Sequence, residues 1–507
     1  MSLFAYWSDS LAPKALLGCC VIILCIWLRR RSARTSFPPG PPSKFLVGNI
    51  LDVSQNAAWE KMTNYKQIYG DLVFVHGLGN HVLVLNSMNR ITDLLEKRAP
   101  IYSERPILTV ASELIGLGQG IPMLPYNEEL RSQRKFAHLA LGPGIVKKYS
   151  KTQEDLAALL AKQLLDSPQE FFTHVRLTAS RILLSVTYGL SVDDDTDRYI
   201  AYAEEVMAMI STVTVPGASL CDIFSWMKYL PSWLPFQRTA ARQRAMVEKF
   251  ISQPLDYVKE QMSAGTAVPS FAHDLLTMNV GNDDRLDKRI KWTAGCLYGA
   301  GGETTYTTVL VFLAAMAMYP DAQKRAQAEV DSVIGIDSLP QISDLRRLPF
   351  VNAVIKETMR WHPALPLGLA RMTAKEDTYQ DFVIPKGTIV IPNVWAVAFD
   401  EQVHPNPREF VPERFLGPDP QPDPANWAFG FGRRICPGKI LGENSVFILI
   451  STVLAVFDVS AVEGQILDLK CSPGLISYPL PFKCRIMPRS ETRVNQVSSR
   501  SAECFGV

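Results

Sequence analysis

The sequence predicts a mainly α-helical globular body with a small β region, preceded by an N-terminal transmembrane helix. Three observations carry that expectation. Helical periodicity dominates most of the chain, while strand-like alternation is confined to short pieces. Of the 507 residues, 47% are hydrophobic and 20% charged, the balance of a folded chain with a large core and not of a disordered one. Near the N-terminus a run of apolar residues stops abruptly on three arginines.

That run, Ala15 to Leu28, is followed by Arg29, Arg30 and Arg31. Counted from Leu11 past the lone Lys14, whose stem can snorkel, it approaches the ~20 residues a bilayer core requires. A cleaved signal peptide carries its charges before the apolar run, and here the order is reversed. The positive-inside rule then sets a single-pass orientation with the arginines and the remaining chain in the cytosol. Residues 1–36 are thus read as anchor and basic stop. Residues 37–43, Phe37-Pro38-Pro39-Gly40-Pro41-Pro42-Ser43, are read as a stiff extended linker, because successive prolines cannot sit inside a helix.

No repeat, second low-complexity linker or long charge run interrupts residues 44–488, which read as one catalytic domain despite a length that would suit two or three. Strands are expected at Leu72 to Val75, His81 to Leu85, and Phe382 to Ile391 with its Pro385-Lys386-Gly387 turn. Lys291 to Tyr319 is apolar nearly all round, so a helix buried through the middle of the protein is expected there. A second helix runs from Leu348 to Trp361, stopped by His362-Pro363. Residues 489–507 are polar with few anchors and are expected to be loose.

Charge and cysteine content exclude other classes. The 52 basic residues nearly balance the 50 acidic ones, which leaves no field for nucleic-acid binding. Nine scattered cysteines without a C-x-x-C pair support neither a disulfide framework nor a zinc ribbon, and fit a reducing compartment.

The most specific feature is Phe429-Gly430-Phe431-Gly432-Arg433-Arg434-Ile435-Cys436-Pro437-Gly438. Read as F-x-x-G-x-R-x-C-x-G, it would arise by chance roughly once in thousands of sequences. A lone cysteine is usually a buried inert thiol. In this company Cys436 reads as a thiolate ligand of haem iron. Pro437 suits the first turn of a following helix, whose N-terminus stabilises the anion. Gly432 permits the turn that aims backbone N–H groups at sulfur, and Gly438 removes a Cβ from the porphyrin side. Arg434 is expected to pair with a haem propionate.

With these residues in view, the chain resembles the cytochrome P450 family of the microsomal type. Other family motifs occur in order: Glu357-Thr358-Met359-Arg360 matches E-x-x-R, and Pro412-Glu413-Arg414-Phe415 matches the segment that follows it. Glu357 and Arg360 share a helix face, and Arg414 can close the ion network that, by resemblance, holds the loop under the haem. Ala300-Gly301-Gly302-Glu303-Thr304-Thr305 is similar to the family's A/G-G-x-D/E-T, where the opened helix makes a groove for dioxygen; Thr304 would hold water or peroxide there and Glu303 would relay protons. Leu130-Arg131-Ser132-Gln133-Arg134 resembles W-R-x-x-R with the tryptophan replaced by Leu130, so Arg134 keeps a propionate contact and the ring donor is lost. Arg371 resembles a further propionate partner.

The resemblance implies the cytochrome P450 fold, haem b, and electrons from NADPH through NADPH-cytochrome P450 reductase, with cytochrome b5 as an additional partner. It implies an endoplasmic reticulum membrane location and a lipophilic substrate that is hydroxylated or epoxidised, in secondary metabolism or xenobiotic oxidation. Arg433, Arg434 and Lys439 offer a basic docking face. Pocket contacts are expected from Arg105 to Gly120, Met207 to Phe224, the helix near Ala300, and Leu365 to Leu369. Trp226 to Pro235 reads either as an interfacial segment or as core packing. The Asp222 to Pro231 stretch looks more loosely like fungal enzymes of secondary metabolism. Two alternatives stay open: a non-catalytic haem sensor, from Cys436-Pro437 alone, and a P450-fold isomerase or dehydratase working without reductant.

Overall fold

The computed structural model describes residues 37–44, 48–49, 57–190, 194–214, 219–278 and 285–506. The expected anchor, residues 1–36, lies outside the described residues. Among those described, the one helix long and apolar enough to cross a membrane is Lys439–Val456, and most of it is buried in the core.

Twelve helices of seven residues or more are described: α1 Ala58–Tyr69, α2 Glu128–Leu141, α3 Ser150–Asp166, α4 Phe171–Tyr188, α5 Asp194–Val213, α6 Pro235–Ala264, α7 Phe271–Thr277, α8 Leu286–Met318, α9 Pro320–Ile334, α10 Pro349–Trp361, α11 Lys439–Val456 and α12 Glu491–Phe505. The longest, α8, is the axis: α4, α2, α6 and α11 pack along it. Its second half, Val309 to Met316, is wholly buried, as an apolar surface on every side demands. The helix starts earlier than periodicity predicts because Leu286 to Ile290 adds a polar first turn, and it stops where Pro320 opens α9.

α6 carries Pro254 in its interior. A proline there has no N–H for the carbonyl four residues back. That carbonyl, Phe250 O, instead accepts the Tyr199 hydroxyl of α5 at 2.6 Å, so the lost backbone bond ties the two helices together.

The strands are β1 Leu72–Gly77, β2 Asn80–Leu85, β3 Arg371–Met372, β4 Asp377–Tyr379, β5 Phe382–Ile384, β6 Ile389–Pro392, β7 Phe457–Ala461 and β8 Cys484–Pro488. One sheet has the order β1-β2-β6-β3, with β2 and β6 parallel and the other pairs antiparallel. The expected Phe382 to Ile391 unit is not one hairpin: β5 pairs with β4, and β6 crosses into the larger sheet. The proline-rich segment lies against that sheet, with Phe74 N–H donating to Pro39 O at 2.8 Å and the Phe37 ring stacked on Phe74.

The tail is not loose. α12 begins on a Ser490 cap that accepts from Arg493 N–H, and it packs on α3. Its inward residues are Arg493, Val497 and Ser501, spaced four apart. Arg493, 2% exposed, donates to Gly335 O at 2.7 Å and to Ser338 O, and pairs with Asp331 of α9 at 3.1 Å. Arg489 joins it on Asp331, and Arg500 pairs with Asp155 of α3. The Arg493→Ala protein is expected to lose about 2–4 kcal/mol of stability in denaturant unfolding, since two carbonyls and a carboxylate lose their buried donor.

Candidate active site

The cysteine loop is built by backbone turns. Cys436 N–H donates to Phe429 O at 2.8 Å, Arg434 N–H to Phe431 O and Ile435 N–H to Gly432 O. Gly432 is required twice over: its φ is +51°, and a Cβ there would stand 2.4 Å from Leu95 O. Phe429, half-buried, lies beneath the Lys439 ammonium at 5.5 Å. α11 begins at Lys439 with Gly438 as its cap, so Pro437 precedes the helix and does not form its first turn. The N–H aimed at sulfur belongs to Gly438 itself. A Cβ at Gly438 would meet only Cys436 Sγ, at an ordinary 3.9 Å.

Cys436 keeps accessible surface, yet the surrounding protein desolvates it. Burial pushes its thiol up, the Gly438 N–H and Arg134 pull it down, Glu443 pushes it up and Lys439 pulls it down. A bound cation would tip that balance to thiolate, because metal binding releases the thiol proton.

Beside the loop stands a cluster of guanidinium groups. Arg371 and Arg434 are buried, Arg134 is half-buried, and Arg105, which the motifs do not mark, is buried among them. Burial, and repulsion from Arg105, Arg434 and Arg134, hold Arg371 well below the usual arginine range. Burial and Arg434 bring Arg105 down to about 9. Burial lowers Arg434 to about 10, against Glu104 and with Arg134. Glu104 is the carboxylate that acts on this group, and its Oε2 already accepts from Tyr126 N–H at 2.8 Å.

Arg105 donates to Leu369 O and Ala370 O, Arg371 to Phe431 O and Arg134 to Ile435 O. The Nε atoms of Arg105 and Arg371 are buried without a partner. Unpartnered buried donors beside uncompensated positive charge call for an anion. A haem brings two carboxylates, so the residues present fit it. Arg434 has a further role that its motif does not mark: its three nitrogens donate to the carbonyls of Ser103, Ile121 and Leu124, at 2.9, 3.4 and 2.6 Å, and so staple the 103–124 segment to the loop. Leu130 is fully buried in an apolar cluster with Ile121, Leu124 and Ala137, a setting that supplies no donor.

Behind the loop, Glu357 and Arg360 of α10 are both 0% exposed. Arg360 grips Glu357 through Nε at 2.7 Å and Nη2 at 2.9 Å, and also donates to Ala398 O, Pro407 O and Glu409 O. Arg414 Nε reaches Glu357 at 3.1 Å, and Val411 N–H adds a further donor at 2.8 Å. The carboxylate is saturated, the condition under which a buried charge is tolerated.

At the centre of α8 the glycine pair does not open the helix. A Cβ on Gly301 would lie 2.8 Å from Leu183 Cδ1 of α4, and one on Gly302 3.5 Å from Ser180 Oγ. Gly301 serves the close approach of α4, a Cβ at Gly302 would meet only ordinary contacts, and α8 runs unbroken. The Thr304 hydroxyl donates to Ala300 O at 3.3 Å and Gly301 O at 3.4 Å. Burial raises the Glu303 carboxyl, Arg176 lowers it and Glu204 raises it. α8 packs on α11, into which the cysteine loop leads.

A family model described as Cytochrome P450 matches residues 38–486 of the chain. Among curated relatives, Cytochrome P450 monooxygenase 208 of Postia placenta is 36% identical over 480 residues, which cover 92% of this chain and 93% of the relative. Cytochrome P450 monooxygenase claR of Ampulloclitocybe clavipes is 37% identical over 470 residues, 90% of this chain and 87% of its own. Cytochrome P450 monooxygenase ppsD of Aspergillus oryzae is 34% identical over 493 residues, 93% of each.

Proposed function

Since the chain belongs to the cytochrome P450 family, whose members named above are monooxygenases, we propose that it inserts one oxygen atom of dioxygen into a lipophilic small molecule by hydroxylation or epoxidation. The electrons come from NADPH through a membrane-bound NADPH-cytochrome P450 reductase, with cytochrome b5 as a further donor. The observation that carries this reading is the pairing of a desolvated Cys436, hydrogen-bonded by Gly438 N–H, with buried Arg105 and Arg371, whose Nε donors lack partners.

Bound haem supplies the iron centre at which dioxygen is reduced. Cys436 would hold it from one side, and Arg105, Arg134 and Arg371 would hold its propionates. The Glu357, Arg360 and Arg414 network keeps the loop in register. Glu303 would carry protons inward and Thr304 would hold the water that passes them on.

The catalytic body sits at the cytosolic face of the endoplasmic reticulum, anchored by residues 11–28. Trp226, Tyr229 and Trp233 support this: they are 62%, 81% and 64% exposed, which rules out the core-packing reading of their segment and suits a membrane interface. The substrate belongs to secondary metabolism or to xenobiotic oxidation, and the relatives that support this reading are fungal monooxygenases.

Turnover with a reductase against terpenoid, polyketide and aromatic compounds is the test. Oxygenated product that requires NADPH is expected. Product without reductant would identify an isomerase, and folded haem protein without product from any class would favour a sensor. The Thr304→Ala enzyme is expected to consume NADPH while product per NADPH falls several-fold and peroxide rises.

A further inference from the structure

Outside the cysteine loop and the motif residues, the chain from Arg105 to Gly120, expected to line the pocket, is held unevenly. Its two ends are fixed: Arg105 donates to Leu369 O at 2.8 Å, and Arg434 collects the carbonyls of Ser103, Ile121 and Leu124. Its middle, Thr109–Leu114, is wound as a single turn of π-helix, with Ile115 N–H donating to Val110 O at 2.9 Å. Such turns are rare and gather at functional sites. This one packs on Leu220–Ile223, Ser225–Tyr229 and α6. Two polar contacts cross that junction. Asp222 Oδ1 accepts the Val110 N–H at 3.2 Å from 112 residues away, and Glu113 pairs with Lys228 at 2.6 Å. The stretch that supplies Asp222 and Lys228 is itself tied down, because Gln237 of α6 donates to Lys228 O at 2.8 Å and to Leu230 O at 3.3 Å.

We propose that Asp222 and Lys228 form a latch on the Thr109–Leu114 turn that selects ligands by size: closed, it passes small molecules to the pocket, and bulky ones enter only when its two contacts part. The latch rests on the reading of the chain as a haem enzyme whose pocket this segment lines.

The two contacts differ in kind and act at opposite ends of the turn. Val110 stands near its start, where a backbone N–H has no acceptor within the turn and none is offered by the side chain of Leu108 before it. The Asp222 carboxylate fills that place with a charge-assisted bond. Glu113 stands near the other end, and its side chain and that of Lys228 are 38% and 26% exposed. An ion pair so open to water is weak and is screened by salt. One end of the turn is thus held by a bond to the backbone and the other by a pair that parts readily.

The direction of each perturbation follows. Lys228→Glu sets two like charges against each other and drives the far end of the turn away. Asp222→Ala leaves the Val110 N–H without its acceptor, whereas Asp222→Asn keeps an oxygen in the same place. Exchanging the charges, as Glu113→Lys with Lys228→Glu, restores an attractive pair. A merely structural role would not respond to the size of the entering ligand.

The experiment follows two azole probes, small imidazole and bulky clotrimazole, as they bind the full-length, haem-loaded protein, with the shift of the Soret band read by stopped flow. Lys228→Glu and Asp222→Ala are each expected to raise the clotrimazole association rate several-fold and to leave that of imidazole unchanged. Asp222→Asn and the charge-exchanged pair are expected to stay near the wild-type rate. Added salt should speed clotrimazole in the wild type but not in Lys228→Gln, which has no pair to screen. Clotrimazole rates that do not move in Lys228→Glu and Asp222→Ala, or that rise no more than those of imidazole, would overturn the proposal. Hydrogen exchange of the amides of residues 110–115, which needs no haem, reads the latch itself and should quicken in both variants; unchanged exchange would equally overturn it. A protein that gives no Soret shift with imidazole would count against the haem reading, and the exchange rates would still decide for or against the latch.

Discussion

Cys436→Ser removes the red-shifted Soret band of the reduced carbon-monoxide complex and reduces oxygenation to background. The red shift would report thiolate ligation, which serine cannot supply: its hydroxyl stays protonated, whereas the Cys436 thiol has the Gly438 N–H and Arg134 to favour its anion and would lose its proton on binding a metal. With haem bound, the Cys436 sulfur would be the ligand whose electron density favours O–O cleavage. The loop itself tolerates the change, because its turns are made by the backbone of Phe429, Gly432 and Cys436. The serine protein should therefore fold and keep haem on its arginines, separating loss of chemistry from loss of structure. A wild-type protein that is folded and haem-loaded yet lacks the red-shifted band would remove the basis of the proposed function.

The second large effect is on stability. Glu357→Gln leaves Arg360 and Arg414 in a site with 0% and 5% side-chain exposure and no neutralising charge. Breaking one member of a buried ion network costs about 3–5 kcal/mol, a large share of the 5–15 kcal/mol typical of folded domains. Lower yield, earlier unfolding in denaturant and haem loss on dilution are expected. Arg360→Lys should be nearly as damaging, since a lysine ammonium cannot span the carboxylate and the carbonyls of Ala398, Pro407 and Glu409 together. Removing both charges, as in Glu357→Leu with Arg360→Leu, should cost less than the sum of the two single changes; strict additivity would mean that the pair is not coupled.

Elements whose signal is local were legible in the sequence. α10 falls within one residue of its expected range, β1 and β2 include the expected strands, and the cysteine loop is a run of ten residues whose turn chemistry is its own. What was not legible depends on distant partners. β6 leaves its neighbour β5 for β2, some 300 residues earlier, because parallel pairing in a larger sheet buries Val390 and Ile391. Arg105 gains its meaning only from the carbonyls of Leu369 and Ala370 and from the arginines that surround it. α12 was missed because its buried face is an arginine, a valine and a serine, which leaves no apolar stripe to detect. Gly301 of α8 was legible as necessary but not for the right reason, since the side chain it makes room for is Leu183 of α4.

The three carbonyls gathered by Arg434 have a practical consequence for re-engineering this enzyme. The segment they belong to, 103–124, overlaps the expected substrate-lining residues, and the guanidinium that collects them is two positions from the iron's proposed ligand. A loop exchange intended to alter substrate preference therefore pulls on the sulfur as well. Variants selected for a new substrate should have their reduction potential measured alongside their products, a shift in potential being the expected result of any exchange that releases the Arg434 contacts.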